Sequence, residues 1–197
     1  MYVPDAFRLE EREALLGYVT AYPFATVVTQ GEGGLGVSHL PLLVGARGDV
    51  LRGHLARENQ QLGHLAAGAE ALAIFHGPHG YVSPSVYAVQ PSVPTWNYVV
   101  VHVRGRAQLV GTPELRAILD EAVARFDTTG WQLDQSDAFL GPKLEAIAGF
   151  EIAIDELLGK VKMSQNRSSE DQGRVATWLE QGDPSARALA ALMRARS

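Results

Sequence analysis

The chain contains no cysteine among its 197 residues. This absence excludes disulfide bonds, thiolate nucleophiles, iron–sulfur ligation and cysteine-based zinc sites. None of the six histidines falls in a His-Glu-x-x-His pattern, and the pair in His76-Gly77-Pro78-His79 is too short and turn-like to indicate a metal site. The sequence therefore predicts no protein-bound metal.

Long apolar runs and a surplus of basic residues are absent too. The apolar runs are far shorter than the roughly 20 residues of a membrane span, and the N-terminus does not resemble a signal peptide. We therefore expect a cytoplasmic protein with no membrane segment. The net charge of −5 argues against a broad phosphate-binding surface. Residues 172–197 nevertheless hold four arginines against two acidic residues, a local net charge of +2.

Motifs for nucleophilic catalysis are missing as well. The chain has no Gly-x-Ser-x-Gly, no Ser-x-x-Lys that fits a helix start, and no paired carboxylates among its polar segments. Any chemistry would therefore come mainly from a bound cofactor. Residues 31–36 match the dinucleotide pattern G-x-G-x-x-G, but Pro41 follows where a helix would have to form. We interpret these residues as a flexible hairpin.

The remaining pattern is rich in strands, with helices around them. Hydrophobic alternation predicts strands over residues 24–30, 36–44, 50–55, 71–75, 98–110, 150–154 and 160–164. Helices are predicted over residues 8–21, 59–67, a segment capped by Thr112, 143–147, 169–181 and 184–195. The fold class expected is α+β, mainly β, as a barrel or a sandwich. We expect one domain over residues 1–168 and a helical appendage over residues 169–197 packed on it.

Residues 53–60 lie where a predicted strand ends and a helix begins. Backbone N–H groups at such a junction, with a cation beside them, suit an anion. Arg57 can bind a phosphate with two N–H bonds, and His54 can add one. The alternative is that Asn59 caps the helix and Arg57 is a solvated surface charge.

Two further segments present polar and aromatic groups at alternate positions. Trp96 and Tyr98 point to the same side of an extended strand, on either side of the Asn97 amide, which suits a flat ligand with a polar edge. Tyr81, Ser83, Ser85 and Tyr87 would form a row of hydroxyls if their segment is extended. The alternatives are an aromatic pair that caps the core and an ordinary serine–proline turn.

The segment from Lys160 to Arg167 also alternates. Lys160, Lys162 and Ser164 share one face, and Val161 and Met163 share the other. The basic face suits a phosphate or a neighbouring chain, and the alternative is an exposed strand face.

Taken together, these segments resemble the FMN-binding negative transcriptional regulators, the PaiB family. The most specific matches are Pro94-Thr95-Trp96-Asn97-Tyr98 and Ser164-Gln165-Asn166-Arg167. The other matches occur in the family's order and cover nearly the whole chain: Met1-Tyr2-Val3-Pro4 with Phe7, Ser38-His39-Leu40-Pro41, residues 53–59, residues 75–85, His102 and Lys162-Met163. Two positions depart from the family pattern, with Gln60 in place of proline and Val86 in place of tryptophan.

The resemblance implies a split β-barrel related to pyridoxamine-phosphate oxidases and flavin reductases. It implies a homodimer with FMN sites at the subunit interface. The residues carried over are His54, Ala56, Arg57 and Asn59 around the phosphate and ribityl chain, Tyr81, Ser83 and Ser85 along the flavin, Trp96, Asn97 and Tyr98 closing it, and Lys162 and Gln165 arriving from the partner subunit.

The function implied is an FMN-binding transcriptional regulator. The residues 169–195 are the only candidate for DNA recognition, although packing on the barrel explains those helices better. The main alternative is an FMN-dependent oxidoreductase acting on a small molecule or on NAD(P)H. A barrel that binds a ligand without flavin is the third possibility.

Overall fold

A computed structural model describes residues 1–133 and 136–196 of the chain. Nine strands lie within these residues: β1 (Arg8–Leu9), β2 (Phe24–Gly31), β3 (Gly34–Pro41), β4 (Leu43–Val44), β5 (Val50–Ala56), β6 (Glu70–Val82), β7 (Thr95–Leu109), β8 (Ile147–Ala153) and β9 (Glu156–Lys162). They form a mainly antiparallel sheet in the order β3-β2-β6-β7-β8-β5-β4, with β9 paired to β7 and to β1.

Six α-helices lie within the same described residues: α1 (Arg12–Ala21), α2 (Gln61–Ala66), α3 (Thr112–Phe126), α4 (Asp137–Glu145), α5 (Ser169–Leu179) and α6 (Pro184–Arg196). Two short 3-10 helices, Asp5–Phe7 and Pro84–Val86, complete the helical structure of the part described. Across residues 1–133 and 136–196, none of the helices is both long enough and apolar enough to cross a membrane.

The chain forms two compact units. The first unit comprises Met1–Tyr18, His76–Val101 and Leu158–Ser197, and the second comprises Val19–Phe75 and His102–Leu157. Residues 134, 135 and 197 of these ranges lie outside the described residues. Strands β6 and β7 each contribute one part to each unit.

In the second unit, the glycine-rich motif forms the turn of a hairpin. β2 pairs with β3 in the register Gly31↔Gly34, and Gly34 has φ of 98°, a conformation that favours glycine. The prediction of a hairpin is therefore confirmed. The buried Gln61 side chain fixes α2 on this hairpin, since its amide nitrogen donates to Val27 O, Thr29 Oγ1 and Gly36 O over 3.0–3.1 Å.

The first unit has its own hydrophobic core. Val82, Val99 and Val161 from the strands are buried with Val175 of α5 and Leu189 of α6. Each large apolar side chain removed from water contributes about 1.5–3 kcal/mol to the free energy of unfolding. The C-terminal helices therefore belong to this core, and they fall close to the predicted bounds of 169–181 and 184–195.

Several predicted bounds were wrong. Residues 8–21 form β1 and then α1 instead of one helix, and α3 is capped by Gly111, with Thr112 as its first residue. The strand predicted over residues 71–75 extends to Val82. The glycines in this extension are packing sites, because a Cβ on Gly77 would lie 2.9 Å from Val99 Cβ and one on Gly80 would lie 2.6 Å from Leu179 Cδ2.

Candidate functional site

The second unit positions four predicted site residues at the end of β5 and in the turn after it. His54 is half-buried on β5, whereas Ala56 and Arg57 are exposed. The Arg57 backbone N–H donates to Ala146 O over 3.0 Å, which fixes the turn. Within residues 1–133 and 136–196, no acceptor or acidic partner binds the Arg57 guanidinium, so this cation is available to an anionic ligand.

Asn59 stabilises this turn. Its Oδ1 accepts the Gln61 N–H over 2.9 Å at the start of α2, and its Nδ2 donates to Ser38 Oγ over 2.9 Å. The i→i+2 bond from Gln61 closes a turn before the helix, and the N-cap residue of α2 is Gln60, with no side-chain cap hydrogen bond, so the alternative in which Asn59 caps the helix was wrong. The Asn59 amide holds the backbone on which Arg57 lies, and the direct contact with a cofactor implied for it stays a prediction.

Burial lowers the pKa of His54 below its ordinary value of 6.5. The cause is desolvation, which disfavours the imidazolium. At neutral pH this side chain is therefore a neutral donor and acceptor, and Arg57 is the group beside it on the chain that carries positive charge.

In the first unit, β7 presents the predicted aromatic face. Trp96 is 53% exposed and Tyr98 is half-buried, whereas Asn97 between them is 0% exposed. The alternation predicted for these three residues is therefore confirmed. A cavity of about 370 Å³ lies beside Trp96 and Tyr98, and His76 and His79 also line it.

Tyr81 of β6 lies against the same tryptophan. The Tyr81 and Trp96 ring centroids are 6.1 Å apart and nearly edge to face, with 68° between the ring planes. The His79 ring is also 6.1 Å from Trp96. The predicted site residues Tyr81 and Trp96 thus lie in one aromatic group. His79 belongs to the same group and was not among the predicted site residues.

Two lysines of β9 lie at the other end of this face. Lys160 Nζ is 5.4 Å from the centre of the Tyr98 ring and 5.6 Å from that of Tyr2. Lys162 Nζ donates to Thr95 Oγ1. Desolvation, followed by the charge of Lys160, lowers the pKa of Lys162. Positive charge therefore lies over the Tyr98 ring.

The remaining predicted residues mainly contact their own turns. Ser83 and Ser85 share a hydrogen bond of 2.8 Å, and the Ser85 N–H donates to Ser83 Oγ over 3.3 Å. The extended row of hydroxyls was wrong, because the chain turns into a 3-10 helix at Pro84. Gln165 accepts the Met163 N–H over 2.6 Å and donates to Val161 O.

Comparisons with known proteins identify the family of this chain. Residues 1–156 match the family described as "Putative FMN-binding domain". The chain is 33% identical over 201 residues to the "Protease synthase and sporulation protein PAI 2" of Bacillus subtilis (strain 168), covering 98% of this chain and 96% of that protein. The chain belongs to the PaiB family of FMN-binding proteins.

Solved structures confirm the fold of this PaiB-family chain. An FAD and heme binding protein from Mycobacterium smegmatis matches with a TM-score of 0.64 and 20% identity, over 84% of this chain and 78% of that one. A flavocytochrome from Azotobacter vinelandii matches with a TM-score of 0.65 and 21% identity, over 84% and 74%. The predicted α+β, mainly β split barrel is therefore the observed fold class.

FMN is the cofactor of the PaiB-family domain, and the residues present fit it. The phosphate needs a cation that is not already paired, and Arg57 meets that need in the second unit. In the first unit, the exposed Trp96 and the half-buried Tyr98, with Lys160 over the tyrosine ring, form an aromatic face of the kind that a flat ring with a polar edge binds. Bound flavin supplies one- and two-electron redox chemistry.

Sequence reasoning missed Lys160 and Thr95 as members of this arrangement. Lys160 was noted for the face it shares with Lys162, and its stacking on Tyr98 depends on the pairing of β9 with β7. No local pattern reveals which tyrosine a lysine will lie over. Thr95 was visible only as part of the Pro94-Thr95-Trp96 run, and its contact with Lys162 spans 67 residues.

Proposed function

We propose that this chain is a cytoplasmic, homodimeric flavoprotein of the PaiB type that acts as a negative transcriptional regulator. The observation that carries the proposal is the exposed Trp96 beside the half-buried Tyr98, with Lys160 over the tyrosine ring. An exposed aromatic face beside an ammonium suits the ring and polar edge of a flavin. The relation to the Bacillus subtilis protein over 98% of the chain supports the same reading.

The residues proposed to hold FMN form two groups, one for the phosphate and ribityl chain and one for the flavin ring. In the second unit, His54, Ala56, Arg57 and Asn59 are proposed for the phosphate and ribityl chain. In the first unit, the set proposed for the flavin ring is Tyr81, Ser83, Ser85, Trp96, Asn97 and Tyr98, with Lys162 and Gln165 acting across a subunit interface. The domain division after residue 168 is part of the same proposal.

Direct binding of DNA would need positive charges on α5 and α6 that are free to contact phosphates. The arginines of α5 and α6 are largely engaged within the chain: Arg174 with Glu170 over 2.8 Å, Arg194 with Glu180 over 3.0 Å, and Arg187 with Gly182 O over 2.7 Å. Few cations therefore remain on these helices for phosphates.

A gel-shift titration tests regulation by direct contact. The FMN-loaded protein is titrated against a set of promoter fragments at 50 and 200 mM salt, with scrambled fragments as the control. The proposal expects a promoter-specific complex that weakens as salt rises. Failure to shift any promoter fragment at low salt would contradict direct regulation.

A flavin-dependent oxidoreductase is the second candidate. The cavity of about 370 Å³ beside Trp96 and Tyr98 favours it, because a small reactant has room next to the proposed ring site. Anaerobic addition of NADPH to the FMN-loaded protein tests this candidate. Bleaching of the flavin absorption within a physiological time supports it, and an unchanged spectrum contradicts it.

A further inference from the structure

The second unit contains a cavity that shares only His54 with the residues proposed for FMN. Its volume is about 630 Å³, within the range of small-molecule sites. Helices α3 and α4, the residues Asp127, Trp131 and Leu133, and the strands β5 and β8 supply its walls. Its lining is mostly apolar, and its main side chains are Leu119, Val123, Phe126, Trp131, Phe139 and Ile147.

Three of these side chains are large aromatic groups exposed to water. Phe126 is 43% exposed, Trp131 is 53% exposed and Phe139 is 48% exposed. Exposed aromatic rings gathered around one opening are uncommon on a protein surface and mark a place that binds something apolar. A ligand that filled the cavity would remove part of this surface from water, which is favourable in proportion to the area buried.

The charged and titratable groups of the cavity decide which ligand fits. Among the described lining residues they are His54, Asp127 and Lys143. Asp127 Oδ1 accepts the Thr129 N–H over 2.8 Å, the Thr129 hydroxyl over 2.9 Å and the Trp131 N–H over 3.2 Å. These bonds hold the pKa of Asp127 below its ordinary value and engage its carboxylate within its own turn.

Unlike the Asp127 carboxylate, the Lys143 ammonium has no partner among the described residues. Its side chain is exposed and, within residues 1–133 and 136–196, the ammonium makes no hydrogen bond or ion pair. His54 is held toward its neutral form by burial. The cavity therefore presents one available cation at its rim, one neutral imidazole and an apolar wall.

We propose that this cavity binds an amphipathic organic acid, a molecule with an apolar chain or ring system and one carboxylate that pairs with Lys143. The apolar part lies against Leu119, Val123 and the exposed aromatic rings. A neutral apolar molecule lacks a partner for Lys143, and an organic cation is repelled by it. Apart from His54, the cavity uses no residue assigned to FMN, so the proposal does not depend on the proposed function.

Fluorescence titration of the full chain tests this proposal. The probes are 11-(dansylamino)undecanoic acid and its methyl ester, which share the apolar part and differ in the charge. The acid is expected to saturate at one site per chain with a blue-shifted emission. The Lys143→Gln variant is expected to bind the acid about fivefold more weakly, as for one partly exposed ion pair, and to bind the ester unchanged.

Arg106→Gln is the matched control, because it removes one exposed positive charge from β7 outside the cavity. It is expected to leave both probes unaffected. Ala122→Trp, which places a bulky ring in the cavity wall, is expected to abolish binding of both probes; circular dichroism and thermal unfolding check that this variant is folded. FMN absorption is recorded throughout and reports the flavin site independently of the probes.

Three results would overturn the proposal. The first is an absence of saturable binding of the acid by the unmodified chain. The second is an equal effect of Lys143→Gln and Arg106→Gln on its affinity. The third is a loss of probe binding at the protein concentrations at which sedimentation velocity shows a dimer. In that case a second copy of the chain would occupy this surface.

Discussion

Asn97 Nδ2 donates to Ser164 Oγ over 2.8 Å, joining two buried residues that are 67 positions apart in the chain. Ser164 has φ of 63°, the one positive value among the non-glycine residues described. Within the described residues, Asn97 Oδ1 is buried with no hydrogen-bond partner. The strand that carries Trp96 and Tyr98 is thus fixed to the end of β9 by one amide and one hydroxyl.

Removal of the Asn97 amide is expected to destabilise the protein. Asn97→Ala leaves the buried Ser164 hydroxyl without its partner, and the expected loss in the free energy of unfolding is about 1–3 kcal/mol. Urea denaturation measures it, with Gln108→Ala, at an exposed position of the same strand, as the control. A loss under about 0.5 kcal/mol, the range of ordinary surface substitutions, would contradict this role for the hydrogen bond.

The positive φ of Ser164 leads to a second prediction. Ser164→Gly and Ser164→Ala both remove the hydroxyl, but only glycine adopts a positive φ without a steric cost. The glycine variant is therefore expected to be more stable than the alanine variant by about 1 kcal/mol. Paired denaturation curves give the difference directly, and equal stabilities would show that the backbone at residue 164 carries no strain.

Two glycines are expected to respond oppositely to substitution by alanine. A Cβ on Gly105 would lie 1.5 Å from Ala153 O, so Gly105→Ala must force β7 and β8 apart and cost about 3 kcal/mol or more. Gly17 lies at an exposed position of α1 with nothing within 4 Å, and Gly17→Ala is expected to add about 0.5–1 kcal/mol. Thermal unfolding of the two variants checks both signs, and a Gly105→Ala variant as stable as the unmodified chain would contradict the contact.

The lowered pKa of His54 predicts a pH dependence of stability. Because the folded state holds this pKa below 6.5, the unfolded chain takes up the proton first as pH falls. The contribution of His54 is therefore complete above pH 6.5 and is lost as pH falls through its folded pKa. Urea denaturation at pH 7.5, 6.5 and 5.5 should show a steeper loss for the unmodified chain than for His54→Gln, and parallel curves would contradict the assignment.

Structural features that depend on residues close together in the sequence could be predicted from it. Glycines at the tip of a hairpin, the alternation of Trp96, Asn97 and Tyr98, and the apolar stripes of the last two helices depend on near neighbours along the chain. They were therefore predictable from period and turn chemistry. The fold class followed from these elements and from the family resemblance.

Other features depend on partners distant in sequence and could not be predicted. Gly77, Pro78 and Gly80 favour a turn, yet β6 continues through them within the sheet, and Val99 and Leu179 lie too close to the two glycines for a larger residue. Likewise, the position of Lys160 over Tyr98 follows from strand pairing. The cavity beside Lys143 could not be predicted because residues 137–145 carry no motif. The cavity forms only when α4 packs beside α3.

We propose that this chain binds FMN with the Arg57 guanidinium at the phosphate. The most direct test is titration of the flavin-free protein with FMN and with riboflavin, which lacks the phosphate, followed by the visible absorption of the bound flavin. We expect FMN to bind more tightly than riboflavin, and Arg57→Gln to weaken FMN about tenfold or more while leaving riboflavin unchanged, as for the loss of a charge-assisted hydrogen bond. Equal affinities for the two flavins, or a protein that takes up neither, would contradict the account.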